Sequence, residues 1–159
     1  MVNDLLQNFV RSDHGSARFA FETGNATQGS GRKTIHDKIL QPDWLPPELL
    51  EMVQDDKARC MSEHGTKQEQ VEEVDKGIFK NEPSITCYMY CMLEAFSLVD
   101  DEADLEKDMM IGLLPESIQE RADTVVSKCV PTTGADNCEK IFNLATCVYT
   151  GAPDVWFMV

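Results

Sequence analysis

No run of apolar residues in this chain approaches the roughly 18 that a membrane-spanning helix requires, which excludes that way of crossing a bilayer. Basic residues are scarce, 14 Lys and Arg against 28 Asp and Glu. A surface so acidic repels phosphate backbones and anionic lipid, so neither nucleic acid nor a membrane is expected as a partner. Convincing period-2 alternation is missing throughout, which leaves an all-α class. Small secreted helical phospholipases need a histidine beside an aspartate; here His64 is followed by Gly65. The acidic run Asp100-Asp101-Glu102-Ala103-Asp104 superficially resembles a calcium loop, yet Leu105 and Ile111 stand where Gly and Glu are required. No Cys-x2-Cys knuckle signals zinc, and the close pair Cys87 and Cys91 lies on a helical pattern. The expectation is a protein that is not an enzyme and holds neither metal nor cofactor.

Cysteine is also missing from the first 59 residues, and all six cysteines, Cys60, Cys87, Cys91, Cys129, Cys138 and Cys147, fall in the last hundred. Residues 1–41 combine Gly15, Gly24, Gly29 and Gly31 with Ser, Thr, Asn and Gln and show no sustained apolar period. They read as a disordered leader, with the folded domain at 42–159. The leader holds five basic and four acidic residues, so the domain keeps nine basic and 24 acidic, a formal charge of −15. Such a charge favours solubility at high concentration. The leader lacks the basic start and apolar block of a signal peptide. Cysteine usage nevertheless points to an oxidising compartment; either the leader is an artefact of gene prediction or cloning standing in place of a secretion signal, which is the favoured reading, or the chain is not secreted.

From Pro42 onward the pattern predicts about six helices. Pro46 and Pro47 open a first helix to about His64, since proline's missing N–H costs nothing in a first turn. Gly65 stops it. Thr66 to Glu69 reads as a capping box for a second helix ending at Gly77. A third spans about Pro83 to Ser97, with Tyr88, Met92 and Phe96 on one stripe. The carboxylates of 100–104 mark the start of a fourth, ending near Gly112. Pro115 opens a fifth, in which Ile118, Ala122, Val125, Val126 and Cys129 share a face. Asp136 or Asn137 caps a sixth carrying Ile141, Phe142, Ala145 and Val148. A core of this size often needs staples.

Cys87 and Cys91 are one turn apart and point outward to neighbours, which makes mutual closure awkward. Cys138 and Cys147 would stand about 13 Å apart on a continuous helix, beyond the ~7 Å limit for a disulfide. Most of the fifteen possible pairings remain open. A bridge closing a loop of about thirty residues should contribute roughly 3–4 kcal/mol.

The cysteine pattern, x26, x3, x37, x8 and x8 between successive cysteines, resembles that of the six-cysteine insect odorant-binding proteins. Their hallmark is a Cys-x3-Cys helix followed later by Cys-x8-Cys. The resemblance extends to Asp56-Lys57-Ala58-Arg59-Cys60-Met61-Ser62-Glu63-His64-Gly65, to Glu82-Pro83-Ser84-Ile85-Thr86-Cys87-Tyr88-Met89-Tyr90-Cys91, to Glu94-Ala95-Phe96-Ser97-Leu98-Val99-Asp100-Asp101-Glu102-Ala103, and to the ending Ala152-Pro153-Asp154-Val155-Trp156-Phe157. It covers about Pro42 to Val159. It implies bridges Cys60–Cys91, Cys87–Cys138 and Cys129–Cys147, and helices arranged around an apolar cavity. It also implies secretion into sensory lymph as a monomer or weak homodimer. The function it implies is carriage of an odorant, a pheromone component or a fatty-acid-like molecule toward an olfactory receptor.

A carrier needs a dry pocket lined by adaptable apolar groups. Seven of the eight methionines follow residue 50 and are polarizable and flexible, although any single one also suits a plain core. The resemblance and the apolar pattern together nominate Trp44, Leu49, Val53, Tyr88, Met92, Phe96, Leu98, Met110, Leu114, Ala122, Trp156 and Phe157 as wall residues. The ending Val155-Trp156-Phe157-Met158-Val159 is apolar on an acidic chain and would be sticky in water. It is expected to fold back as a lid or wall. Asp75 breaks the apolar stripe of Val71, Val74 and Ile78, and with Val159 it is a candidate pH latch. A helical signalling or structural protein without a cavity is the competing expectation.

Overall fold

The computed structural model describes residues 42–159. The reading of 1–41 as a leader lies outside the described residues. Among those described, the chain forms seven helices and no strand. In chain order they are α1 Pro47–Met52, α2 Gln54–His64, α3 Gln68–Asp75, α4 Pro83–Ala95, α5 Lys107–Leu113, α6 Glu116–Cys129 and α7 Asn137–Gly151. None is long and apolar enough to cross a membrane.

One helix was expected over 47–64, and two are found. The break falls at Val53, where the side-chain amide of Gln54 donates to the Leu50 carbonyl at 2.9 Å. A side chain that satisfies a main-chain carbonyl competes with the helical ladder. The cap of α3 is likewise displaced by one residue. Lys67 is the N-cap, and its N–H donates to Gln70 Oε1 at 2.9 Å. Thr66, nominated for that role, instead donates its hydroxyl to the Ser84 carbonyl at 2.7 Å, joining the loop before α3 to α4. The acidic run 100–104 does not start a helix. Asp100 Oδ1 accepts from the N–H groups of Glu102 and Asp104 at 3.0 and 2.8 Å, and Val99 and Leu105 form an isolated antiparallel bridge. The short aspartate side chain closes a turn there, which delays α5 to Lys107. At α7 the expectation holds: Asp136 is the cap and accepts from the Glu139 N–H at 2.8 Å.

Three helices stop in the same way. Thr66 N–H bonds the Met61 carbonyl, Ile78 N–H that of Glu73 and Leu98 N–H that of Leu93, at 3.0, 2.7 and 2.9 Å. In each the preceding residue is left-handed: Gly65 at φ 64°, Gly77 at φ 80° and Ser97 at φ 54°. This closure reuses otherwise orphaned carbonyls, and glycine adopts it without cost.

The core gathers Val71 and Val74 of α3, Ile85, Tyr88, Met89 and Met92 of α4, Val125 and Val126 of α6, and Ile141, Leu144 and Ala145 of α7. Helix α4 sits at the centre, packed chiefly on α7 and α2. Covalent bonds follow the same arrangement. Cys60–Cys91 joins α2 to α4, Cys87–Cys138 joins α4 to α7, and Cys129–Cys147 joins α6 to α7, with Cα separations of 5.8, 4.6 and 5.8 Å. These are the pairs that the family resemblance implies, and no cysteine is free.

Ser97 is exposed and is the one non-glycine among the three left-handed caps. Ser97→Gly should raise the unfolding free energy by about 0.5–1 kcal/mol, because a Cβ is strained at positive φ. Urea denaturation under non-reducing conditions will read this as a higher midpoint at constant m.

Candidate ligand-binding site

The C-terminal tail folds back over α3 and α4. As α7 ends, Val155 N–H bonds the Ala152 carbonyl at 3.2 Å and turns the chain. Three hydrogen bonds then fasten it. Trp156 Nε1 donates to the Val74 carbonyl at 3.1 Å, Met158 N–H donates to Asp75 Oδ1 at 2.8 Å, and the Tyr88 hydroxyl donates to the Val159 carbonyl oxygen. Val155 is buried, and Trp156, Met158 and Val159 pack against the main cluster. Burial of such side chains contributes about 1.5–3 kcal/mol each when complete.

Trp156 enters an aromatic group that spans three parts of the chain. Phe79, in the α3–α4 loop, lies 5.7 Å from Trp156, 5.6 Å from Tyr149 and 5.9 Å from Phe142, centroid to centroid. Tyr149 and Trp156 meet edge to face at 6.3 Å. Such geometries add to the area term. Tyr149 reaches this place because Gly77 has no side chain: a methyl group there would overlap the tyrosine ring. The Tyr149 hydroxyl donates to the Lys76 carbonyl at 3.3 Å.

A second fastening holds the other end of the tail. Arg121 of α6 grips Asp154 with two bonds, Nη2 to Oδ1 at 2.9 Å and Nε to Oδ2 at 3.1 Å. The Asp154 carbonyl accepts from the Trp44 indole N–H at 3.2 Å, and the Trp44 ring stands edge-on to Phe157 at 5.2 Å.

The nominated wall residues fall into several places. Val53, Tyr88, Met92 and Ala122 are buried in the main cluster; Phe96, Met110, Leu114 and Trp156 are half-buried against it. Leu98 is buried, and Leu49, on α1, is half-buried. Trp44 and Phe157 form their own pair, near the two ends of the described residues. Among the described residues, two surface clefts bear on this. One of about 260 Å³ is lined by apolar residues such as Leu105, Val130, Ile141 and Leu144 together with Asp104 and Lys140. The other, of about 470 Å³, lies between α6 and α7 over Cys129–Cys147. None of the nominated residues lines either cleft.

Sequence reasoning did not nominate Phe79, Tyr149, Arg121 or Asp154. Glycine at position 77 hinted at a close approach nearby, but nothing in the chain links Arg121 to Asp154. Glu63, His64 and Cys91 gather within 4.8 Å. Cys91, however, is bonded to Cys60, and the Arg59 guanidinium lies 3.5 Å from its sulfur. A thiolate is what a metal would need there.

Burial raises the pKa of the Asp75 carboxyl, opposed by the Met158 N–H and by Lys76, and reinforced by Glu72. Burial also pushes the Tyr88 phenol up, so it stays a donor to Val159. Arg121 holds the Asp154 carboxyl below the usual carboxylate range.

A small helical bundle with three internal bridges and its apolar end folded back over the core defines a disulfide-stapled all-α fold. The PBP/GOBP family model matches residues 43–151, and the chain belongs to that family. General odorant-binding protein 69a of Drosophila melanogaster is 26% identical over 104 residues, 65% of this chain and 70% of the fly protein. Among solved structures, odorant-binding protein 7 of Anopheles gambiae, with four disulfide bridges and in complex with an azo compound, matches at TM-score 0.63 and 20% identity. The match covers 70% of this chain and 91% of the mosquito chain. The fatty acid binding protein OBP56a from the oral disk of the blowfly Phormia regina matches at TM-score 0.57 and 18% identity, over 70% and 97%.

Gly77→Ala should destabilise the fold by roughly 2–3 kcal/mol, combining left-handed strain with displacement of the Tyr149 ring. Denaturant titration will measure the loss. Trp156 emission should shift to the red as its aromatic neighbours separate.

Proposed function

We propose that this chain is a non-enzymatic extracellular carrier. It holds one small apolar molecule in an internal cavity and takes it through aqueous sensory fluid toward olfactory receptors. The carrier domain spans 42–159 and works as a monomer or weak homodimer. Its walls are Leu49, Val53, Tyr88, Met92, Phe96, Leu98, Met110, Leu114 and Ala122, closed at the ends by Trp44, Trp156 and Phe157. The observation that carries this reading is the tail, an apolar segment folded back on the core and fastened there by three hydrogen bonds. Family membership supports it, as do two structural relatives, one in complex with an azo compound and the other a fatty acid binding protein. Three disulfides suit an oxidising compartment.

Displacement titration with a fluorescent arylnaphthylamine tests the carrier role directly. One probe per chain at micromolar concentration is expected, and a fatty acid should displace it. A wild-type protein that binds no probe at 50 times that concentration, roughly the range where weak apolar sites fill, would leave a solid helical signalling or structural protein as the better reading.

Asp75 and Val159 act in this scheme as the latch, and the sign of its pH response follows from burial. The closed tail buries the Asp75 carboxyl and raises its pKa above the ordinary 3.8. An open tail exposes it and returns it toward that value. The closed form therefore binds the proton more tightly, so acidification favours closure and rising pH loosens it. Probe affinity should strengthen as pH falls from neutral through the raised pKa toward 3.8. Asp75→Asn, isosteric and uncharged, should hold the tail as the protonated acid does and flatten the profile. An unchanged pH profile in that variant would remove Asp75 from the mechanism.

A further inference from the structure

We infer that Arg121 is the positioning residue that fastens both ends of the domain to α6, and that it thereby sets how long a bound ligand stays. This inference rests on the carrier reading above.

Arg121 belongs to α6, which also carries the buried Ala122, Val125 and Val126. Its guanidinium makes two bonds to Asp154, the planar fork that carboxylates match best. Asp154 follows Pro153 just beyond the end of α7, so it lies at the root of the tail. Downstream of it, Trp156, Met158 and Val159 are tied to α3 and α4. Those bonds fasten the tip; Arg121 fastens the hinge.

The same residue reaches the other terminus of the domain through the Asp154 main chain. The Asp154 carbonyl accepts the Trp44 indole N–H, and the Trp44 ring closes edge-on against Phe157 of the tail. Residues 42–46 and 152–159 therefore meet at a point that one cation organises. Leu45, beside Trp44, and Ala152 and Val155, on either side of Asp154, are buried. Moving Asp154 must disturb all of these contacts together.

Charge makes the choice of residue significant. The domain has nine basic residues against 24 acidic, and α6 itself carries Glu116, Glu120 and Asp123. Without Arg121 the Asp154 carboxylate loses both of the side-chain bonds that hold it. The pair is exposed, Arg121 at 54% and Asp154 at 58% of the side chain. Its effect is therefore modest and screened by salt, which suits a contact that must open for loading and release.

The test follows dissociation of a preloaded arylnaphthylamine probe by stopped flow, at low and at physiological ionic strength. Arg121→Gln and Asp154→Asn should each speed release about two- to five-fold at low salt, and the double variant no further. Arg121→Lys, which keeps the charge and loses the fork, should fall between. The reversed pair, Arg121→Asp with Asp154→Arg, should recover slow release. Salt should accelerate the wild type and leave Arg121→Gln unchanged. A ligand-free readout accompanies this: in a Trp156→Phe background, acrylamide quenching of Trp44 should rise on Arg121→Gln while helix content stays constant. Unchanged release and unchanged Trp44 quenching overturn the inference. A wild type that binds no probe overturns the carrier reading and the residence-time half of this one, and the quenching still decides whether Arg121 positions the two ends.

Discussion

Helix α4 is held covalently from two sides, through Cys91 to α2 and through Cys87 to α7, and the rest of the structure depends on that constraint. Several of the other helices are short. Helices α1 and α5 contain no buried residue, and α3 has only eight residues. Isolated helices of such length are marginal in water. The bridges remove much of the freedom the unfolded chain would otherwise have, and they set the side chains of α4, Tyr88 and Met92 above all, at the centre of the core.

On that frame the tail behaves as a separate, weaker layer. Its attachment uses one tyrosine hydroxyl, one carboxylate, two indole N–H groups and an exposed ion pair. Each is worth far less than a disulfide. The energetic ranking therefore separates a permanent scaffold from an end that can move. The aromatic group of Phe79, Phe142, Tyr149 and Trp156 joins the two layers, because three of its members belong to the scaffold and one to the tail.

Much of the fold was legible in the chain. The all-α class, the proline starts, the glycine stops at 65 and 77 and the cap at Asp136 follow from local backbone chemistry, which acts within a few residues. The misreadings have local causes as well. Gln54 turns its own amide onto the ladder and splits the first helix; Asp100 closes a turn where a run of carboxylates resembled a helix start. At position 97 a serine takes the left-handed cap that glycine usually fills, which hid the similarity of the three helix ends. Among the site residues, the apolar stripe of α4 was visible from its period. Phe79 and Tyr149 were not, since their meeting depends on how a loop lies against α7.

Sequence alone determined which residues could be helical, which faces were apolar and that the six cysteines had to tie the helices together. These are properties of neighbours along the chain. Only the tertiary structure decided that Asp75 faces a main-chain N–H of the tail, that Arg121 and Asp154 meet across 33 positions, and that Trp44 closes against Phe157. Contacts between distant residues are set by the angles at which whole helices pack, and no local pattern encodes them.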